Sequence, residues 1–154
     1  MGMRADFIPW VINNIPHKKN IIELGAGLTS TRVFNDFYNL YSIEHNEKYI
    51  NIYKGVNYIH APLKNEWYDP DIIERMLPDD YDCIVVDGPP GMLNNNNQIR
   101  YGFIKNIQLF KQDVPIIFDD TDREGWGEVK AVNKLEEMGF NITKYDTFTV
   151  CQPQ

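Results

Sequence analysis

The chain has 154 residues, of which 43% are apolar and 13% aromatic, so it has enough material for one packed domain and is not a disordered chain. Its 22 acidic and 15 basic residues give a net charge of −7, and because that charge repels phosphate backbones we expect no nucleic-acid partner. No long apolar run is present, so we expect neither a membrane span nor a signal peptide. The two cysteines, Cys83 and Cys151, lie in apolar runs, which favours reduced core residues in a cytoplasmic protein.

Apolar runs typical of strands alternate along the chain with amphipathic stretches typical of helices. Residues 1–19 are predicted to form an N-terminal helix, at 6–15, and a linker. Strands are predicted at residues 20–24, 40–44, 56–61, 81–87, 114–119, 140–145 and 148–151. Further helices are predicted at residues 29–38, 47–54, 71–77, 99–110 and 127–138.

This order of elements predicts the fold class. Repeated strand–helix units give a parallel sheet with helices on both faces. The last two predicted strands are separated by two residues, which is too short for a parallel crossover, so they must pair antiparallel. The sequence therefore predicts a single α/β domain over residues 1–154. Its expected architecture is a Rossmann-like three-layer αβα sandwich with a seven-stranded, mostly parallel sheet and a C-terminal antiparallel hairpin.

A glycine-rich turn follows the first predicted strand, with the sequence Glu23-Leu24-Gly25-Ala26-Gly27. Glycines allow a tight turn and let a ligand approach the backbone closely. The helix that follows begins with unpaired N–H groups. A nicotinamide-binding turn normally has a third glycine where this chain has Ser30. A glutamate before the first glycine suits a ligand that carries a positive charge.

Glu44 ends the second predicted strand, 19 residues after Gly25. An acidic side chain at about that spacing is well placed to accept hydrogen bonds from both hydroxyls of a ribose. The alternative is that Glu44 is a solvated carboxylate at a strand end. His45 comes next and either contacts the same ligand, acts in proton transfer or lies on the surface.

Three carboxylates, Asp87, Asp119 and Asp120, end the fourth and fifth predicted strands. The carboxyl ends of parallel strands meet at the crevice where ligands bind, so we expect these side chains to lie close together. Carboxylates in contact repel one another unless a cation or a proton is shared among them. Oxygen ligands of this kind suit Mg²⁺ or another hard divalent ion. The alternative is that Asp119 or Asp120 caps a turn and Asp87 contacts only the cofactor.

At the glycine-rich turn and Glu44 the chain resembles the class I S-adenosylmethionine (SAM)-dependent methyltransferases, over nearly its full length. The resemblance supplies the identity of the cofactor. It implies that the turn lines the methionine end of SAM, that Glu44 holds the ribose and that residues 60–62 lie near adenine. The residues expected to bind the donor are Glu23, Gly25, Ala26, Gly27, Ser30, Glu44, His45, Ala61 and Asp87.

The second half resembles two narrower groups, the glucuronoxylan 4-O-methyltransferases of plants and the metal-dependent sugar O-methyltransferases of macrolide biosynthesis. The resemblance rests on residues 82–91 (Asp-Cys-Ile-Val-Val-Asp-Gly-Pro-Pro-Gly), on Arg100 and on residues 116–123 (Ile-Ile-Phe-Asp-Asp-Thr-Asp-Arg), with Glu128 after them. It implies O-methylation of a small-molecule or saccharide hydroxyl. This chain is shorter than most members of either group and has no evident substrate-capping domain.

We expect catalytic, metal-binding and substrate-binding roles for the acidic residues and their neighbours. Asp87 and Asp120 are the expected catalytic residues, with Asp87 as a candidate general base. The metal ligands would be Asp87, Asp119 and Asp120, and the ion would lower the pKa of the acceptor hydroxyl. Arg100 would grip a substrate carboxylate, or is an ordinary helix residue. Trp126 would contact the substrate, or serves in packing.

Other functions remain open on the same residues. The first is a metal-independent N- or C-methyltransferase, and the second is a non-catalytic domain that binds SAM or another protein. A nicotinamide-dependent oxidoreductase is the weakest alternative, because of Ser30 and the closing hairpin. Residues 94–97, four asparagines, form either a polar loop that caps the next helix or a mobile gate. The crevice has no evident lid, so we also consider a homodimer in which a second copy of the chain closes it.

Overall fold

The protein is built on a seven-stranded sheet, seen in a computed structural model that describes residues 5–154. Residues 1–4, which begin the predicted N-terminal segment, lie outside the described residues. The strands are β1 Asn20–Leu24, β2 Asn39–Glu44, β3 Asn57–His60, β4 Ile84–Val86, β5 Ile116–Asp119, β6 Asn141–Lys144 and β7 Phe148–Gln152. Their order is β3-β2-β1-β4-β5-β7-β6. The first five strands run parallel, and β7 pairs antiparallel with both β5 and β6, so the predicted fold class is confirmed.

Helices cover both faces of this sheet. They are α1 Ile8–Asn14, α2 Ser30–Phe37, α3 Pro70–Met76, α4 Gly102–Lys105 and α5 Gly127–Glu137. Asp69 caps α3 by accepting a hydrogen bond from the Asp71 amide, and Pro70 occupies the first turn, where a missing N–H costs nothing. Across residues 5–154, no helix has the length and apolar character needed to cross a bilayer.

The core is divided between the two faces, because side chains alternate along each buried strand. On β4, Ile84 and Val86 pack with Phe103 of α4 on one face, while Val85 packs with Phe34 of α2 on the other. The cysteines follow the same pattern, with Cys83 in the cluster of α1 and α2 and Cys151 in that of α3 to α5. Both are buried free thiols, as predicted.

Two predicted helices are shorter or broken. The helix predicted at 47–54 is wrong except for a single 3₁₀ turn, Glu47–Tyr49, because Asn51 has φ 62°, which is incompatible with a right-handed helix. The helix predicted at 99–110 divides into the 3₁₀ turn Ile99–Tyr101, α4 and the 3₁₀ turn Ile107–Leu109. Asn106 causes the break, since its side-chain amide donates to the Gly102 carbonyl and competes with the helical backbone.

A short hairpin after β3, Leu63–Lys64 paired with Trp67–Tyr68, was not predicted. Its turn residues Asn65 and Glu66 both have positive φ, yet neither is a glycine, so the usual sequence signal is missing. The asparagine run also forms a tight turn. Asn96 Oδ1 accepts from the Gln98 amide just before the turn Ile99–Tyr101, but Gln98, the N-cap residue of that turn, forms no side-chain capping hydrogen bond within residues 5–154, so the capping alternative is not supported.

Candidate functional site

The glycine-rich turn packs directly on the segment that follows β4. Gly25 has φ +95°, and a Cβ built on it would lie 2.4 Å from the Asp87 carbonyl oxygen. A Cβ on Gly88 would lie 2.7 Å from the Gly25 Cα. Both positions therefore need glycine to let the ends of β1 and β4 come together.

Glu44 connects the end of β2 to this turn. Its Oε1 accepts a hydrogen bond from the Ala26 amide at 2.9 Å, and its Oε2 accepts one from the Asn46 amide at 2.7 Å. The Nδ1 of His45 lies 3.1 Å from Oε2. The Glu44 side chain is only 5% exposed, so its carboxylate faces the protein and not bulk water.

Glu23 lies beneath the turn and is fully buried. Its carboxylate accepts hydrogen bonds from the hydroxyls of Ser30, Thr31 and Ser42, at 2.6 to 2.8 Å. Burial raises the pKa of Glu23, and these hydrogen bonds oppose the rise. The Ser30 and Thr31 hydroxyls are therefore turned toward β1, and the side chain of Thr29, the N-cap residue of α2, forms no capping hydrogen bond within residues 5–154. Through these hydrogen bonds Glu23 connects β1, β2 and α2. Its contact with the methyl donor stays a prediction.

A cleft of about 170 Å³ opens beside the turn. Five predicted donor-binding residues line it, together with three residues of the motif after β4 and two residues that the sequence did not indicate. These are, in that order, Gly25, Ala26, Glu44, His45 and Asp87; Gly88, Pro89 and Pro90; and Tyr49 and Tyr68. Ala61 is not among them, since it is fully buried in the apolar core. A larger groove of about 420 Å³ shares Tyr68 but contains none of the predicted site residues.

The carboxylate cluster is present as predicted. Ligand oxygens of Asp87, Asp119 and Asp120 all lie within 4.8 Å of one another, at the ends of β4 and β5. Asp120 has φ 60°, a conformation that aspartate tolerates better than most residues. Asp87 also lines the cleft, so the cleft and the cluster share one side chain.

Arg100 forms buried ion pairs with Asp120 of the cluster and with the neighbouring Glu128. Its Nη1 lies 2.8 Å from Asp120 Oδ2 and 3.2 Å from Glu128 Oε2, and its Nε donates to the Pro89 carbonyl at 2.8 Å. The residue is 6% exposed. Its guanidinium is thus occupied by the protein, which argues against the predicted grip on a substrate carboxylate.

Burial and mutual repulsion set the protonation of the cluster. Burial raises the pKa of Asp87 well above its usual value; Arg100 opposes the rise and Asp119 adds to it. Burial and Asp120 raise the pKa of Asp119 to about 6. For Asp120, hydrogen bonds from Arg123 and Arg100 outweigh burial and lower the pKa. The raised pKa values of Asp87 and Asp119, whose carboxylates are neighbours, favour retention of a proton by this pair when no cation is bound.

The charges around this cluster do not balance. Four carboxylates, those of Asp87, Asp119, Asp120 and Glu128, face two guanidiniums, those of Arg100 and Arg123. The excess of two negative charges equals the charge of one divalent cation. The oxygen donors therefore fit Mg²⁺ or a similar hard ion, with protons as the other way to neutralise them.

Trp126 and Glu128 each contact an arginine that binds Asp120. The guanidinium of Arg123 stacks over the Trp126 ring at 4.6 Å and also contacts Asp120 Oδ2 at 2.6 Å. Trp126 is partly exposed, which leaves its predicted substrate contact open. Glu128 is fully buried, and its Oε1 finds no hydrogen-bond partner among the described residues. Sequence reasoning did not assign it a role, although a glutamate in the first turn of α5 was a visible signal.

No protein-family model and no curated protein sequence matches this chain. Solved structures do match it. The MycE methyltransferase from the mycinamycin biosynthetic pathway, in complex with Mg, SAH and mycinamycin VI, is 14% identical with a TM-score of 0.63; the match covers 99% of this chain and 50% of that chain. This chain therefore spans about half the length of MycE.

Two further matches cover both chains more evenly. A TehB-like SAM-dependent methyltransferase from Corynebacterium glutamicum is 10% identical with a TM-score of 0.62, over 96% of this chain and 86% of that chain. Mtq2, in an E. cuniculi complex with Trm112 that methylates a translation termination factor, is 13% identical with a TM-score of 0.60, over 97% and 93%. The chain therefore has the Rossmann-like fold of the class I SAM-dependent methyltransferases.

Proposed function

We propose that residues 1–154 act as one SAM-dependent methyltransferase domain that methylates a hydroxyl of a small molecule or saccharide. The observation that carries the proposal is the position of Asp87, which lines the cleft beside the glycine-rich turn and also belongs to the carboxylate cluster. A donor in the cleft and an acceptor at the cluster would meet at this side chain. The methyltransferase fold supports the proposal.

At the donor end, Glu44 would hold the ribose diol. Each of its carboxylate oxygens already accepts one backbone hydrogen bond, and each retains a further lone pair for a ribose hydroxyl. Gly25, Ala26 and His45 line the same cleft. The volume of about 170 Å³ is below the usual range for ligand pockets, roughly 300–1,000 Å³, so only part of SAM would be enclosed there.

At the acceptor end, Asp87 would accept the proton of the acceptor hydroxyl while the hydroxyl oxygen attacks the methyl group of SAM. The new C–O bond forms as the C–S⁺ bond breaks, and S-adenosylhomocysteine leaves as a neutral thioether. Asp87 can act as this base only when ionised, and a proton retained by the pair with Asp119 opposes that state. A divalent ion held by Asp87, Asp119 and Asp120 would favour ionised carboxylates and lower the pKa of a bound hydroxyl.

The test is transfer of a labelled methyl group from SAM to a panel of sugars and hydroxylated small molecules, before and after EDTA treatment. The proposal predicts transfer that EDTA abolishes and Mg²⁺ restores. Asp87→Asn should remove transfer while leaving the thermal unfolding of the protein cooperative. An Asp87→Asn variant with wild-type turnover would place the chemistry elsewhere.

A metal-independent N- or C-methyltransferase is the second candidate. One observation favours it: Arg100 and Arg123 both contact Asp120 Oδ2, at 2.8 and 2.6 Å, and supply positive charge where an ion would lie. Turnover that EDTA leaves unchanged would select this candidate. Binding of SAM without transfer to any acceptor would instead support the non-catalytic alternative.

Two further proposals concern the setting of the site. The buried free thiols of Cys83 and Cys151 support a cytoplasmic protein. The shallow cleft supports a homodimer in which a second copy covers it. Sedimentation velocity of the purified protein tests the dimer.

A further inference from the structure

Within residues 5–154, two buried polar atoms of the cleft form no hydrogen bond, the Tyr68 hydroxyl and the Nδ1 of His45. His45 Nδ1 lies 3.1 Å from Glu44 Oε2, whereas Tyr68 is fully buried and its hydroxyl finds no partner among the described residues. A buried polar group without a partner destabilises a fold by about 1–3 kcal/mol, so such groups are rare and need an explanation. Burial also raises the pKa of Tyr68, so the phenol stays protonated at neutral pH and remains a hydrogen-bond donor.

The position of this hydroxyl connects it to the cleft. Tyr68 lines the cleft on the side of Gly88, and a Cβ built on Gly88 would lie 2.2 Å from the hydroxyl oxygen. The hydroxyl therefore lies against the Gly88 backbone. In addition to burial, the Glu44 carboxylate raises the pKa of the hydroxyl and the Arg100 guanidinium lowers it, so both charges act on this group. The hydroxyl thus lies between the end of β2 and the segment after β4.

The surroundings of Tyr68 favour a flat ring as its partner. The walls of the cleft include the rings of His45 and Tyr49 and the side chains of Pro89 and Pro90, and the His45 ring centroid lies 6.4 Å from that of Tyr68. The planar rings of His45 and Tyr49 suit stacking against a planar base, and the two prolines add apolar surface. Glu44 already offers acceptors for a ribose diol, and a phenol adds the donor that a ring nitrogen requires.

We propose that the Tyr68 hydroxyl donates a hydrogen bond to a ring nitrogen of the purine base of the bound nucleoside. The inference rests on the proposed function, since it takes the ligand to be an adenosyl compound. Because the hydroxyl is fully buried beside Gly88, this contact requires the segment from Gly88 to Pro90 to move when the base enters. Tyr68 is then a residue that determines specificity for the base.

The experiment compares the wild type with Tyr68→Phe, which removes only the hydroxyl. Calorimetric titration with S-adenosylhomocysteine should show an affinity about tenfold weaker in the variant, the loss expected for one hydrogen bond. The ligand-free variant should unfold at the same temperature as the wild type or a higher one, because no protein partner is lost. Tyr81→Phe is the matched control. Tyr81 is equally buried, but its hydroxyl accepts from the Lys111 amide at 2.8 Å, so the control should lower the unfolding temperature and leave binding unchanged.

Analogues in which N1, N3 or N7 of the base is replaced by CH identify the contact. For one of them, wild type and Tyr68→Phe should bind equally. If Tyr68→Phe loses the same affinity for every analogue, the hydroxyl contacts another part of the ligand and the inference is wrong. If Tyr68→Phe binds S-adenosylhomocysteine with wild-type affinity, the inference is also wrong, but the proposed function is not affected. A wild-type protein that binds no S-adenosylhomocysteine would overturn the proposed function as well.

Discussion

The Ala26 amide donates a hydrogen bond to Glu44 Oε1 at 2.9 Å, which fixes the carboxylate at the end of β2 against the glycine-rich turn after β1. The two groups are 18 residues apart in the sequence. This bond aims the carboxylate at the cleft before any ligand arrives. Preorganisation of this kind reduces the ordering that binding would otherwise require.

Glu44→Ala should weaken the binding of S-adenosylhomocysteine by more than about 1 kcal/mol, because charge-assisted hydrogen bonds to the ribose are lost. Isothermal titration calorimetry measures the change. Glu47→Ala is the control, since Glu47 is exposed and nearby. Wild-type affinity in the Glu44 variant would refute its ribose assignment.

Glu23→Ala should lower the free energy of unfolding by about 3 kcal/mol or more, because three buried hydroxyls lose their common acceptor. Urea unfolding followed by circular dichroism measures the loss. The exposed Glu74→Ala, in α3, should change stability little. A small effect at Glu23 would mean that its carboxylate does not brace the turn.

The pKa of Asp119, raised to about 6, predicts a pH dependence of stability. The folded protein binds a proton that the unfolded chain releases near pH 4, so the contribution is fully present below that pH and is lost as the pH rises through about 6. The loss should be about 2–3 kcal/mol, at 1.36 kcal/mol for each pKa unit. Unfolding free energies from pH 4.5 to 7.5 measure it. A flat profile, or one that Asp119→Asn leaves unchanged, would contradict the assignment.

The same cluster predicts a pH-dependent effect of Mg²⁺. An ion that binds ionised carboxylates should raise the unfolding temperature at pH 7.5 and have little effect at pH 5, where Asp119 is protonated. Scanning calorimetry at both values with and without Mg²⁺ tests this. Equal stabilisation at the two pH values would indicate binding elsewhere.

Arg100→Gln should strongly destabilise the protein, by about 3–5 kcal/mol, because it leaves Asp120 and Glu128 near one another without their buried cation. The loss should shrink at pH 5, where more of the cluster is protonated. Lys111→Gln is the control. Its ion pair with Asp80 is exposed, and such pairs contribute at most about 1 kcal/mol.

The sequence predicted the sheet well because its evidence was local and redundant. Most strands have an apolar run, and the three residues between β6 and β7 are too few for a parallel crossover, so they allow one pairing direction only. It failed where a single residue interrupts a helix, as at Asn51, which has φ 62°, and at Asn106, whose side-chain amide donates to the Gly102 carbonyl.

The site was predicted unevenly. Asp87, Asp119 and Asp120 meet because parallel strands end at a common edge, which the sequence indicates. The partners of Arg100 and the orphan hydroxyl of Tyr68 depend on distances between segments far apart in the chain. The hairpin that carries Tyr68 lacks a turn glycine, so nothing local signalled it.

A crystal structure with S-adenosylhomocysteine tests the central claim most directly. We predict that the thioether ligand lies across Gly25 with both ribose hydroxyls hydrogen-bonded to the Glu44 carboxylate. Ligand density in the larger groove beside Lys64 and Lys105, with the cleft at Glu44 left empty, would contradict it.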